Sequence, residues 1–234
     1  MSENALAKLL QLETPPVAIA FVDTPPAGVA RVSTPEPAGC GYWRRAAAGE
    51  VFFTTADDHK RCPVGAHTHH VPLTASEEDE LMGLVKTMVN LSYLRMEDVP
   101  KIARRSTPLQ TAVYAPLQLA PIQPDVVLVR GNSRQLMLLA EAAEHAGVAG
   151  TTPAMGRPTC AVVPESINVS RTAVSFGCVG NRVYTGASDG DSYFAIPGEH
   201  LAAVERSLAT IVRANRELEK FHRGRAAAAF AGTT

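Results

Sequence analysis

The residues with the most chemical reach in this 234-residue chain are its four cysteines. They form two pairs of comparable spacing, Cys40 with Cys62 and Cys160 with Cys178. Each second cysteine opens a small turn, Cys62-Pro63-Val64-Gly65 and Cys178-Val179-Gly180-Asn181. Each pair lies behind an apolar run suited to a strand, one from Val17 to Val22 and one from Val126 to Val129. This pattern predicts one unit used twice, with a pseudo-twofold axis bringing four thiols to one point. In a reducing compartment, converging thiols point to a metal or an iron–sulfur cluster before they point to disulfides. Glycines beside the cysteines (Gly39, Gly41, Gly65, Gly177 and Gly180) allow the close backbone approach that a cluster needs. The spacing is neither a ferredoxin run nor the short Cys-x-x-Cys of zinc ribbons and thioredoxins. Scattered cysteines also serve as small buried hydrophobes. The expectation of a 4Fe-4S cluster held by Cys40, Cys62, Cys160 and Cys178 therefore rests on their matched positions.

Cys62 stands out as a thiol suited to catalysis. His59, Lys60 and Arg61 precede it and His67 follows, and neighbouring cations favour a thiolate. His67 and His69 are candidate proton carriers beside it. The run Cys62-x4-His67-x-His69-His70 also permits zinc, through Cys62 with His67 or His70. A third possibility is a tetrapyrrole or haem between the halves, with His67, His69, His70 and Met155 as axial ligands. Arg44 and Arg45 follow Cys40, and Arg182 follows Cys178. All three are candidates to hold an anionic substrate group or to balance thiolate charge.

These side chains need elements to position them. Residues 4–12 read as a short helix ended by Pro15 and Pro16, and 17–22 as a strand. A helix start near Gly41 carries Trp43 and the two arginines, and 51–55 is β-branched and aromatic, hence strand. His59 to Pro72 reads as a polar loop. Leu81, Leu84, Val85, Met88 and Val89 recur at helical spacing over 77–94, and further helical turns follow in 97–105. Strand 111–117 closes the first half. The second half runs as strand 126–129, helix 134–146, a helical segment 160–166, strand 172–176, a turn at Gly177–Gly180, strand 193–196 and helix 199–221. The fold class expected is α/β: two strand–helix–strand halves, about 13–117 and 124–222, with mixed sheets and flanking helices. Together they form a single domain over 1–222. The Ala/Gly-rich tail 223–234 is expected to be disordered.

Composition narrows the function classes. A net charge of −1 offers no general attraction to nucleic acid or to an anionic membrane. No apolar run reaches the roughly 20 residues of a membrane span, and the start lacks a signal-peptide pattern. The expected setting is therefore cytoplasmic, with a small-molecule substrate. An electron-donor protein and a second copy of the chain are candidate partners.

Four segments carry a family resemblance: Cys40-Gly41-Tyr42-Trp43-Arg44-Arg45-Ala46, Cys62-Pro63-Val64-Gly65-Ala66, Met155-Gly156-Arg157-Pro158-Thr159-Cys160, and Ser175-Phe176-Gly177-Cys178-Val179-Gly180-Asn181-Arg182. They resemble the family called domain of unknown function 169, over about residues 4–221. The resemblance implies that the four cysteine segments belong to one functional core. It supplies no reaction, and the His67–His70 run is outside the family pattern. The expected activity, redox or sulfur-transfer chemistry on a small molecule, therefore follows from the cysteines alone.

Overall fold

The computed structural model describes residues 4–150 and 158–231. Six strands make one sheet: β1 (Val17–Val22), β2 (Phe52–Thr55), β3 (Thr111–Pro116), β4 (Val126–Gly131), β5 (Ala173–Ser175) and β6 (Ser192–Pro197), in the order β2-β3-β1-β4-β6-β5. The mixed sheets expected from sequence are replaced by this single sheet, whose ladders are all antiparallel. The parallel contact found is the isolated bridge between Arg31 and Phe53. β1 and β4 pair at the centre, and on either side the order outward is first, third, second strand of that half. β3 and β6 both end in proline and lead into a tight 3-10 turn, and the hydrogen bonds that anchor them match. Leu117 N–H donates to the Pro16 carbonyl and Gly198 N–H to the Asp125 carbonyl, both at 2.8 Å.

The central strands read as continuous apolar runs because both sheet faces are covered. With a side-chain period of two, alternate residues of each strand serve different cores. Val126 and Leu128 of β4, with Tyr193 and Ala195 of β6, face the core built with α2 (Gly39–Ala47) and α7 (Val162–Val169). Val127, Val129, Phe194 and Ile196 face the other core, under α1 (Ala5–Leu10), α6 (Ser133–His145) and α9 (Leu201–Ala231). All four cysteines lie on the first face. The tail from Arg223 lies on α9, which is helical to Ala231.

The segment read as a polar loop, His59 to Pro72, is instead largely helical. It holds the end of α3 (Ala56–His59) and all of α4 (Pro63–Thr68). Its polar composition hid two fully buried histidines, His59 and His69. The turn expected at Gly177–Gly180 is the start of α8 (Val179–Thr185), with Cys178 as its N-cap. α5 (Ala75–Asn90) starts at a Thr74–Glu77 capping box and buries only Val85, so most of its apolar face stays in solvent.

Gly198 gives a direct test of the packing where β6 leaves the sheet. A Cβ there would collide with the Pro124 carbonyl, whereas a Cβ on Gly224 of α9 meets open space. Gly198→Ala is expected to destabilise the chain by about 3 kcal/mol, as overpacking does. Gly224→Ala should be neutral or stabilising by up to about 1 kcal/mol through helix propensity. Thermal unfolding of the two variants checks this, and a Gly198→Ala protein that melts with the parent would contradict the packing described.

Candidate metal and thiol centre

Each cysteine sits at the beginning of a helical segment. Cys40 is in the first turn of α2, and Cys160 is in the 3-10 turn Thr159–Ala161 that leads into α7. Cys62 and Cys178 are the N-caps of α4 and α8. The N-cap thiols do the work usually given to Ser or Asp. Cys62 Sγ accepts from Gly65 N–H at 3.3 Å, and Cys178 Sγ accepts from Asn181 N–H at 3.4 Å. Gly65 is needed at its position, because a Cβ there would crowd Cys62 Sγ at 3.0 Å. The starts of α2 and of the 159–161 turn have no side-chain cap.

The four starts close into a ring. α2 packs against α4 and against α8, and α4 packs against the 159–161 turn. Cys178 N–H completes the circuit by donating to Thr159 Oγ1 at 2.6 Å. Helix starts present unpaired N–H groups and the positive end of the dipole, so this ring favours negative charge at its centre.

The thiols sense one another. Burial pushes the Cys40 thiol up to about 12; the nearby Asn181 amide offsets part of that rise, and the charges of Cys62 and Cys178 add to it. Burial also raises Cys160 well above its ordinary value, with Cys62, Cys178 and Cys40 adding to the rise and the Thr68 hydroxyl opposing it. The four sulfurs thus lie within electrostatic reach of one another, and all four cysteines are free. As the side chains stand, no group of three or more His, Cys, Asp or Glu among the described residues is placed to hold a metal ion. The donor set itself, four thiols ringed by backbone N–H groups, suits a thiolate-held centre.

Behind the ring lies a buried imidazole pair. His59 and His69 stack with ring centroids 5.4 Å apart, beside Tyr42 and Tyr114. His69 Nδ1 meets the Gly65 carbonyl at 3.0 Å, so Nδ1 carries the proton and Nε2 is a bare acceptor. His59 Nε2 meets Thr54 Oγ1 at 2.9 Å, while its Nδ1 lies against Gly39 at the start of α2. His59 Nδ1, His69 Nε2 and the Tyr114 hydroxyl are all buried with no hydrogen-bond partner among the described residues. Burial depresses His59 to about 3 and His69 to about 4, so both are neutral at pH 7.

Comparison with known proteins adds the family. The model of domain of unknown function 169, described as "Uncharacterised ArCR", matches residues 5–207. The chain belongs to this family. No curated protein and no solved structure matches it.

Within this member of the domain of unknown function 169 family, the other candidate residues fall in different places. Lys60 is engaged by Asp57 and Glu77 at 3.2 and 3.4 Å, and His59 is buried and neutral. The cationic surroundings expected for Cys62 are therefore reduced, and the start of α4 takes their place. His67 is partly buried, and its pKa is lowered by burial and then by the charges of Arg104 and His70. His70 Nδ1 meets the Arg105 carbonyl at 2.9 Å, turned toward the 102–109 connection. Met155 lies outside the described residues, as do Gly156 and Arg157 of the third family segment.

Arg182 is tied to the carbonyls of Phe176, Ser188 and Asp191, bracing the loops on either side of α8. Arg45 is held by Glu50 and the Thr34 carbonyl. Arg44 is the most exposed of the three, with a long 3.4 Å contact to Glu36. Two residues that sequence reasoning passed over belong to the centre. Asn181 is 2 % exposed, and its carboxamide lies beside the Cys40 thiol and lowers that thiol's pKa against the effect of burial. Thr159 links the segments of Cys160 and Cys178. The shared N-cap spacing, Cys-x-x-Gly65 and Cys-x-x-Asn181, is the sequence signal that points to Asn181.

Proposed function

We propose that this chain is a metal-centre protein that holds a 4Fe-4S cluster through Cys40, Cys62, Cys160 and Cys178. The observation that carries the reading is the closed ring of four helix starts, each presenting one cysteine. Cys160 feels the charges of Cys40, Cys62 and Cys178, and a cluster, which spreads its ligands over several irons, would draw on all four thiols. When bound, the cluster would supply redox or sulfur-transfer chemistry. The chain would supply a neutral, largely buried surround, backbone N–H groups aimed at the sulfurs, and two half-buried thiols, Cys62 and Cys178, on the solvent side. Arg44 would orient a small anionic substrate and His67 would carry protons, while His69, buried, neutral and tied to the Gly65 carbonyl, would brace the start of α4. We read the two halves, about 13–117 and 124–222, as copies related by a pseudo-twofold through the β1–β4 pair. The repeated strand order and the matched Leu117 and Gly198 hydrogen bonds support that reading. Free cysteines accord with a reducing cytoplasmic setting. Among the described residues no helix is long and apolar enough to cross a membrane.

Anaerobic purification with iron and sulfide analysis tests the proposal. The expected result is a coloured protein with about four irons and four sulfides per chain. A protein still colourless and iron-free after reconstitution would overturn it.

A further inference from the structure

Beside the thiol centre, α2 and the second half enclose a small cleft of about 30 Å³. Trp43, Arg44, Arg130, Thr185 and Tyr193 line it, with Val17 and Leu128 as apolar wall. Among the described residues no Asp or Glu lines it. Trp43 is 3 % exposed, and its indole Nε1–H is buried with no hydrogen-bond partner among the described residues. A buried donor without an acceptor carries a desolvation penalty, so an occupant that accepts from it is favoured. Arg44 brings a guanidinium whose 3.4 Å contact with Glu36 is long, leaving donors for another partner. Arg130, held through Nε and Nη2 by Asp191, fixes a second positive group in the wall.

Size limits the occupant. One water needs roughly 10–15 Å³ of such space, so the cleft accepts a head group of a few atoms. A lining that combines donor-bearing side chains with aliphatic wall matches a carboxylate on a short carbon chain. We infer that this cleft binds a small monocarboxylate, with Trp43 Nε1–H and Arg44 as its anchors. Tyr193 joins the cleft to the thiol centre: its ring lies 5.6 Å from that of Trp43, and its phenol feels the Cys40 charge. The inference deepens the reading of Arg44 as a substrate anchor, and it stands whether or not the thiols hold metal.

Trp43 is the single tryptophan of the chain, so its fluorescence reports on this site without interference. The full chain is titrated at constant ionic strength with acetate, phosphate and neutral acetamide, with calorimetry in parallel. Acetate should give a saturable change with a dissociation constant in about the millimolar range or below. Acetamide should give none. Arg44→Met should weaken acetate binding about tenfold or more, as loss of a charge-assisted hydrogen bond does. Trp43→Phe, followed by calorimetry, should weaken it while leaving the fold intact. Arg223→Met, on distant α9, should change nothing. A non-saturating response, or wild-type affinity in Arg44→Met, would overturn the site. Phosphate binding more tightly than acetate would overturn the carboxylate assignment. Metal content is measured on the same samples, so failure here and failure of the cluster reading remain distinguishable.

Discussion

Cys160→Ser should lower bound iron from about four per chain to below one, while Cys62→Ser should keep about half or more. The contrast follows from burial. Cys160 is 8 % exposed, packed among Val162, Val163 and Tyr193 in the core. Little solvent reaches that corner to replace a missing thiolate, and a serine hydroxyl is a poor ligand for iron. Cys62 is half-buried at the start of α4, where water has access. A cluster that loses this ligand can keep three thiolates and take water or substrate at the fourth iron. Serine is close in size to cysteine, so with metal removed from both, far-UV circular dichroism and melting temperature should stay near those of the metal-free parent. That separates ligand loss from misfolding. Iron contents equal to wild type in both variants would sink the four-cysteine assignment. The reverse order, with Cys62→Ser the more damaging, would remove Cys62 from its place as the accessible position.

The second large effect is acid sensitivity. His59 and His69 are held neutral, with pKa values depressed by burial from about 6.5 to about 3 and about 4. An unfolded chain takes up both protons near pH 6.5, and the folded chain resists until much lower pH. The stability they contribute is therefore complete above about pH 6.5 and is lost as pH falls toward 4 and then 3. With two extra protons bound by the unfolded state near pH 5.5, the slope is roughly 2.7 kcal/mol per pH unit. Urea unfolding at pH 7.5, 6 and 5 should show this loss as a falling midpoint with unchanged m-value. His69→Gln should flatten the slope by about one proton. Constant stability from pH 7.5 to pH 5 would contradict a neutral, dry pair.

The strands were legible in the sequence because β1, β3, β4 and β6 are buried on both faces, which leaves unbroken apolar runs between prolines and polar turns. The antiparallel order was not, since nothing local states which run pairs with which. α3 and α4 were hidden for a different reason. At four and six residues they are too short to show a helical period, and their signals are caps: the Thr55–Asp58 box and the Cys62 N-cap. The cysteines themselves were visible as a constellation. The burial of His59, 1 % exposed, was not, because it comes from packing against Tyr42 and Tyr114, both brought in by tertiary structure. Arg182 read as a candidate to hold an anionic group or to balance thiolate charge, but the carbonyls it braces come from the loops on either side of α8 and are invisible in one dimension.

The β1–β4 ladder spans only Val17 to Ile19 against Leu128 to Val126, three paired positions, whereas β1–β3 and β4–β6 have six each. Within the sheet the join between the halves is thus half as long as the ladder on either side of it, and the ring of helix starts straddles it, with α2 and α4 from one side and α8 and the 159–161 turn from the other. Anything gripped by all four cysteines would act as a rivet across a short seam. Its arrival or departure would register as stiffness between two lobes, far beyond the few atoms it touches.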